Sequence, residues 1–585
     1  MPYVRPALLI VLVAASLGLG PVAAQPTDPP DGPLFTPLPA SETGIAFSND
    51  LEEGPEVNVL AYEYLYNGGG VAVGDLNGDG RPDLYFTSNQ NANALYLNEG
   101  DFQFREVTAA AGVADRDGWT TGVTMADVNG DGRLDIYVCK SGWMGPDARR
   151  NKLYIHRGTG ADGVPRFEER AAAYGLDDPA QSTHATFFDY DRDGDLDLYL
   201  LNHPVRRYMG RSELDAARDT DDPMAGDKLY RNESGSSTDP EAPTFVEVTA
   251  EAGIKSSALG YGLSATVSDI NRDGWPDVYV ANDYMADDYL YINQGDGTFE
   301  ESLRDWMDHT SYSSMGSDIA DVTNDGRPDV FTLDMLPEGQ RRQKLLKGPE
   351  DFRFYRDLRS RGYYRQYMRN MLHRHNGNGT FSEVGQLAGV SNTDWSWAAL
   401  LADFDLDGRK DLYVTNGYRR DYTNLDFLNG VLFSSLDYLK YSNAENPESV
   451  DVDLYGMTRK MPSTPIPNYL FRNAGHLRFE KVSEAWNVGQ EGFSTGAAYA
   501  DLNNDGAPDL VVNNINQEAF VYRNEARART DHNYLSVELA GTGDNRFGVG
   551  AKVELTTPDG RTLYQEQVPA RGFQSSVEPA LHFGV

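Results

Sequence analysis

The chain of 585 residues holds a single cysteine, Cys139. No internal disulfide can form, so the fold needs another staple. Histidine is scarce as well, with nine scattered residues. Zinc or copper centres built on His and Cys are therefore not expected. His373 and His375 of "LHRH" alternate as strand positions do. No G-x-S-x-G elbow occurs, and no other catalytic constellation stands out, so an enzyme is not the first expectation. Basic charge is in deficit: 51 Lys and Arg face 89 Asp and Glu, for a net charge of −38. That excludes nucleic acid as a partner of the body. It suits cation binding and also a high-salt habitat. Only one long apolar run exists, "ALLIVLVAASLGLG", preceded by Arg5 and followed by "PVAA". It is short for a membrane span and has the layout of a signal peptide over residues 1–24. The expectation is export to the periplasm, cell surface or extracellular space, with no transmembrane segment in the mature chain. Residues 25–34 read as a flexible Pro-rich lead-in.

What the chain has in excess is one acidic sentence, written seven times. "DLNGDGRPD" at Asp75 (loop one) returns at Asp127, Asp189, Asp269, Asp321, Asp403 and Asp501 (loops two to seven). Side-chain oxygens stand at positions 1, 3, 5 and 9. They are Asp75, Asn77, Asp79 and Asp83; Asp127, Asn129, Asp131 and Asp135; Asp189, Asp191, Asp193 and Asp197; Asp269, Asn271, Asp273 and Asp277; Asp321, Thr323, Asp325 and Asp329; Asp403, Asp405, Asp407 and Asp411; and Asp501, Asn503, Asp505 and Asp509. Position 6 is glycine every time, which permits the positive φ that wraps a backbone around an ion. Hard oxygen ligands in this number point to Ca²⁺, about seven sites in all. The competing reading of any one loop is a polar turn without metal. A turn needs only one or two of these residues, so seven full matches favour the ion. Thr323 makes loop five the weakest, because a hydroxyl is a poorer ligand than a carboxylate. An EF-hand would place Glu at position 12; loop one has Phe86 there and runs on into β-forming residues.

Two further patterns fill the spaces between loops. "LYLN" at Leu95 is echoed at Leu153, Leu229, Leu290, Leu372, Leu470 and Val521, and "FREVTAAAGV" at 104–113 recurs as a tail. A strand of small residues precedes each loop. Each repeat reads as four strands, the content of a propeller blade, with the small residues innermost. Loop spacings of 52, 62, 80, 52, 82 and 98 residues place insertions in the longer repeats. No tail follows loop seven, whereas an unpaired one, "FTPLPASETGI", lies at Phe35–Ile45. The fold class expected is all-β: a seven-bladed β-propeller over 35–527, closed by an N-terminal strand at 35–45, with a small all-β module at 532–585.

The loops with their "LYLNEGDFQFREVTAAAGV"-like tails resemble FG-GAP/VCBS repeats, as in the propellers of integrin α-chain heads. The segment 533–585 resembles an ASPIC/UnbV domain, and the combination is similar to the cartilage acidic protein family and its bacterial relatives. That family's last domain continues past "HFG", whereas this sequence stops at Val585, which leaves the module's completeness open. The resemblance implies calcium binding and an adhesion or scaffold role toward a macromolecular partner, a glycan or a surface protein. The alternative is an enzyme acting on a polysaccharide or biosynthetic intermediate at the channel mouth. Trp119, Tyr261, Trp395 and Trp397, with Phe493, precede inner strands. They read either as a ligand site at that mouth or as packing between blades. The basic, aromatic stretch 341–369 reads either as a docking site for an anionic glycan or as an insertion packed on the acidic body.

Overall fold

The computed structural model describes residues 32–204, 211–234, 245–346, 352–432, 453–558 and 560–585. The signal peptide expected at 1–24 and most of the lead-in at 25–34 lie outside these described residues. Seven four-stranded antiparallel units form the body. Their inner strands are Val71–Gly74, Trp119–Ala126, Ser182–Phe188, Gly262–Ser268, Ser317–Ala320, Ser396–Ala402 and Ser494–Ala500. These neighbour one another in a closed ring in which blade seven meets blade one. The chain is thus a seven-bladed β-propeller. Small inner-strand residues are a packing requirement where backbones converge. A Cβ on Gly316 would stand 1.9 Å from the Trp397 carbonyl oxygen, and one on Gly70 1.7 Å from that of Gln574.

The recurring tails are a short strand followed by one turn of helix. Glu106, Glu169, Glu301 and Glu383 each accept a bond from the backbone N–H two residues on, at 2.6–3.0 Å, and so start that turn. A glycine at positive φ ends it, as at Gly112 and Gly389. The N-terminal tail has the same form. Phe35–Leu38 pairs antiparallel with Val521–Asn524, the third strand of blade seven. The strand expected over 35–45 is therefore shorter. Ala40–Thr43 is a helical turn, and Gly44 at φ 78° stops it.

The longest connections of blades three, five and six run from the second to the third strand. One of them contains the basic stretch, which forms helices at Gln340–Leu346 and Phe352–Ser360. Many of its cations turn back onto the acidic body. Arg342 pairs with Asp394 and Asp421, Arg361 with Asp215, and Arg369 with Glu383.

Both ends of the central channel are filled by the chain. On the loop side, the C-terminal module carries two strand pairs, Tyr534–Glu538 with Ala580–Gly584 and Lys552–Thr556 with Thr562–Glu566. Between them residues 570–577 enter the channel. Ser576 pairs parallel with Ala72, Gly572 N–H donates to Ser317 O at 3.1 Å, and Val123 N–H donates to Gln574 O at 3.0 Å. Phe573 is fully buried, 5.0 Å from the Trp397 ring. On the far side sits "YEYLY", Tyr62–Tyr66. Tyr64 hydroxyl donates to Asp283 Oδ2 at 3.3 Å, while Tyr284 hydroxyl donates to Glu63 Oε2 at 3.2 Å, a reciprocal clamp onto blade four.

Adjacent blades are also strutted by side chains. In four blades the asparagine ending the third strand donates its amide to the second residue of the preceding blade's acidic loop, whereas Asn232 of blade three donates to Leu196 O of its own blade at 3.2 Å. Asn98 reaches Leu502 O, Asn293 Tyr190 O, Asn473 Val322 O and Asn524 Phe404 O, all at 2.8–2.9 Å. In blades two and five this position is His156 or His375, each with a buried ring nitrogen that has no partner.

Candidate metal centres

Every acidic loop uses its first and last aspartates in the same way. The last one is a brace. Its Oδ2 accepts from the backbone N–H of loop position 2, for example Leu76 N to Asp83 at 2.9 Å and Leu502 N to Asp509 at 2.9 Å. Its Oδ1 accepts from the end of the third strand, for example Asn98 N at 2.9 Å and Asn524 N at 2.7 Å. Asp135, Asp197, Asp277, Asp329 and Asp411 repeat both bonds. All seven are buried. The first aspartate accepts from the position-6 glycine, at 2.8 Å for Gly80 on Asp75 and 2.7 Å for Gly506 on Asp501. Backbone bonds thus point the acidic side chains inward before any ion arrives.

The residues present fit a hard divalent cation. Asp189, Asp191 and Asp197 bring carboxylate oxygens within 4.8 Å of one another, and so do Asp403, Asp405 and Asp411. Asp189 Oδ1 and Asp403 Oδ1 are buried without a hydrogen-bond partner, and an unpaired buried carboxylate oxygen is costly unless a cation faces it. The other five loops carry Asn or Thr at position 3; Thr323 turns its hydroxyl toward Asp321 Oδ1 at 3.4 Å.

Burial pushes the Asp83 and Asp329 carboxyls up to about 8, and those of Asp127, Asp189 and Asp501 to about 6. Such groups keep a proton in the folded, metal-free chain that the unfolded chain releases near pH 4. Folding therefore binds protons between about pH 4 and 8, and stability in chelator should fall as pH rises through that window. A divalent ion displaces those protons, so saturating calcium should flatten or reverse the slope. Denaturant melts at pH 5 and pH 8, with and without chelator, read this directly. A chelator-treated chain more stable at pH 8 than at pH 5 contradicts it.

The C-terminal module lies over the loop face. Arg546 Nε donates to Gly130 O in loop two at 3.0 Å, and Asn545 N–H to Gly194 O in loop three at 3.1 Å. In loop four Asp269 N–H donates to Glu566 Oε2 at 3.1 Å, and the Lys552 ammonium pairs with Asp269 Oδ2. Beside loop five Arg571 pairs with buried Asp318 at 2.7 Å. Loop six receives Gly584 N–H on Asp403 Oδ2 at 3.0 Å, and in loop seven Asp501 N–H reaches Glu578 Oε1 at 2.6 Å. Loop one is open: a Cβ built on Gly78 or Gly80 meets nothing within 4 Å. These partners were not legible beforehand. One signal was available: position 8 is Pro in loops one, four, five and seven but Lys410 in loop six.

The aromatic residues considered for a ligand site are all buried by the chain itself. Trp119 packs on Tyr62 at 6.0 Å, Tyr261 on Tyr284 at 4.9 Å, and Trp395 stacks on Tyr418 at 4.0 Å. Trp397 donates its indole N–H to Gly417 O at 2.7 Å. They pack the ring and its plugs, in line with the second of the two readings given to them, packing between blades.

The fold is a propeller with seven acidic loops, and the FG-GAP-like repeat family model matches residues 66–138, 269–332 and 360–414. The ASPIC and UnbV family matches 541–585, so the chain carries both elements. It is similar to Cartilage acidic protein 1 of Homo sapiens, 25% identical over 239 residues that make up 40% of this chain and 32% of that protein. Against the Mus musculus protein it is 23% identical over 531 residues, 88% of this chain and 68% of that protein. The chain thus spans about a third of the human relative it matches. Among solved structures it is similar to an Agrocybe aegerita lectin that recognises non-reducing terminal N-acetylglucosamine, with TM-score 0.33, 15% identity and coverage of 60% and 75% of the two chains. It is also similar to an exotype rhamnogalacturonan lyase, with TM-score 0.35, 11% identity and coverage of 78% and 72%. No helix among the described residues is long and apolar enough to cross a membrane.

Proposed function

We propose that the chain is an exported calcium-binding propeller that serves as a rigid binding scaffold for a macromolecular partner, a glycan or a surface protein. The observation that carries this reading is the double closure of the channel. With Tyr62–Tyr66 at one end and residues 570–577 at the other, the channel holds no room for a ligand and the outer surface is left for contact. Calcium is supported by the converging, partly unpartnered carboxylates. Exposed aromatics on the insertion face supply contact area: Phe352 is 69% exposed and stands beside exposed Arg353 and Arg356. Arg359 and Arg361 are committed to Tyr363 O and Asp215 and serve the insertion's own packing.

The test is to measure binding and turnover together on a panel of extracellular polysaccharides, with calcium present. Saturable binding without product is expected. It should weaken at least fivefold on acidic glycans in the double variant Arg353→Gln/Arg356→Gln. Product formation overturns the scaffold reading, and binding indifferent to the double variant moves the contact surface elsewhere.

A further inference from the structure

Loop six differs from the other six in being sealed. Asp403, Asp405, Asp407 and Asp411 are 3%, 0%, 4% and 0% exposed. In every other loop at least one candidate ligand is half-buried or exposed. The seal is built from the C-terminal module and the propeller side chains Arg472 and Arg409, the latter 2.9 Å from Asp407 Oδ2. Gly584 N–H shares Asp403 Oδ2 with Gly408 N–H, at 3.0 and 2.9 Å. The fit is close, since a Cβ on Gly584 would stand 2.3 Å from that oxygen. Arg561 Nη1 donates to Asp407 O at 2.8 Å, and the His532 ring Nδ1 lies 2.7 Å from Asp405 O. From the propeller, Arg472 places Nε 2.7 Å from Asp405 Oδ2 and Nη2 3.2 Å from Asp407 Oδ2. Inside this enclosure Asp403 Oδ1 is buried and unpartnered.

We propose that the ion of loop six is held behind the C-terminal module and leaves only when that module lifts, while the ion of loop one exchanges freely. This rests on the loops holding calcium, as proposed above. An ion must be rehydrated as it leaves its carboxylates, and at loop six those carboxylates are at most 4% exposed while Gly584 and Arg561 stay in place. Its exit rate is then capped by the opening rate of the module. The coupling is reciprocal: the ion that the module retains also favours the docked module. The module thereby becomes part of a metal centre to which it contributes no carboxylate.

The full chain is loaded with ⁴⁵Ca, mixed with excess chelator, and sampled over time. One ion of the bound total is expected to leave at least tenfold more slowly than the rest. Asp403→Asn should remove that slow phase together with one bound ion. Asp75→Asn should remove one ion from the fast phase only. Arg561→Ala should keep the stoichiometry and speed the slow phase several-fold. Release of all ions in one phase overturns the proposal, as does a slow phase that survives Asp403→Asn. An unchanged stoichiometry in Asp403→Asn also overturns it and makes Arg472 the resident cation of the loop. If Asp403→Asn does not fold, Arg561→Ala decides: an unaltered slow phase refutes the seal. A wild-type chain that retains no calcium at all refutes the calcium reading itself, a separate and recognisable outcome.

Discussion

Removing divalent ions is expected to lower the melting temperature by about ten degrees. A ligand that binds only the folded state adds RT ln(1 + [L]/Kd), about 1.4 kcal/mol per site at tenfold excess over Kd. Extracellular-type sites have dissociation constants on the order of 0.1–1 mM, so a few millimolar calcium reaches that regime. Seven such terms sum to about 10 kcal/mol, which for a domain of this size corresponds to a shift of that order. The chelated state bears a further cost, because 23 carboxylates at ligand positions then crowd one another with only a few protein cations, such as Lys552 and Arg472, beside them. Thermal unfolding in calcium and in EDTA, with magnesium as a control, checks the result. Coincident melting curves would remove calcium from the account of this fold.

Deleting residues 25–38 should be nearly as damaging. Phe35 is fully buried, with ring contacts to Phe404 at 5.8 Å and Tyr522 at 6.4 Å. Its N–H donates to Trp486 O at 3.0 Å, and Thr36 Oγ1 donates to Glu525 Oε1 at 2.8 Å. Loss of one buried aromatic alone costs about 3–5 kcal/mol. The deletion also bares the edge of Phe520–Asn524, and a bare edge invites aggregation. The deletion variant is expected to melt several degrees lower in calcium and to form soluble aggregates on size-exclusion chromatography. Phe35→Ala, which keeps the strand, should show the first effect without the second. A deletion variant that melts with the parent would mean that the four-residue pairing contributes nothing to closure.

The blades were legible because they repeat. Period, loop and tail recur often enough that local chemistry identifies them, down to the small inner strands. Function within a repeat was harder to read. Asp83 and its six counterparts read simply as ligands in sequence, yet both oxygens of each also accept from backbone N–H groups. A carboxylate is written the same way whether or not it also braces a strand end. What repeats could not reveal were single long-range matches. Nothing in "ARGFQSSV" announces a plug, because its partners Ser317, Trp397 and Ala72 are distant in the chain. The cations of 341–369 invite a glycan until Asp394, Asp421 and Asp215 are seen beside them.

The asparagine struts bear on how the ring would respond to mechanical load. Blades five, six, seven and one are joined in unbroken succession by Asn473, Asn524 and Asn98, whereas His156 and His375 leave the seams between blades one and two and between blades four and five without one. A tensile force spread around the circumference would meet unequal resistance, and the seams without a strut, which include that between blades two and three, would part first. The propeller then behaves less like a uniform hoop than like a stiff four-blade arc hinged to a softer three-blade arc. That asymmetry sets where strain would collect in the ring.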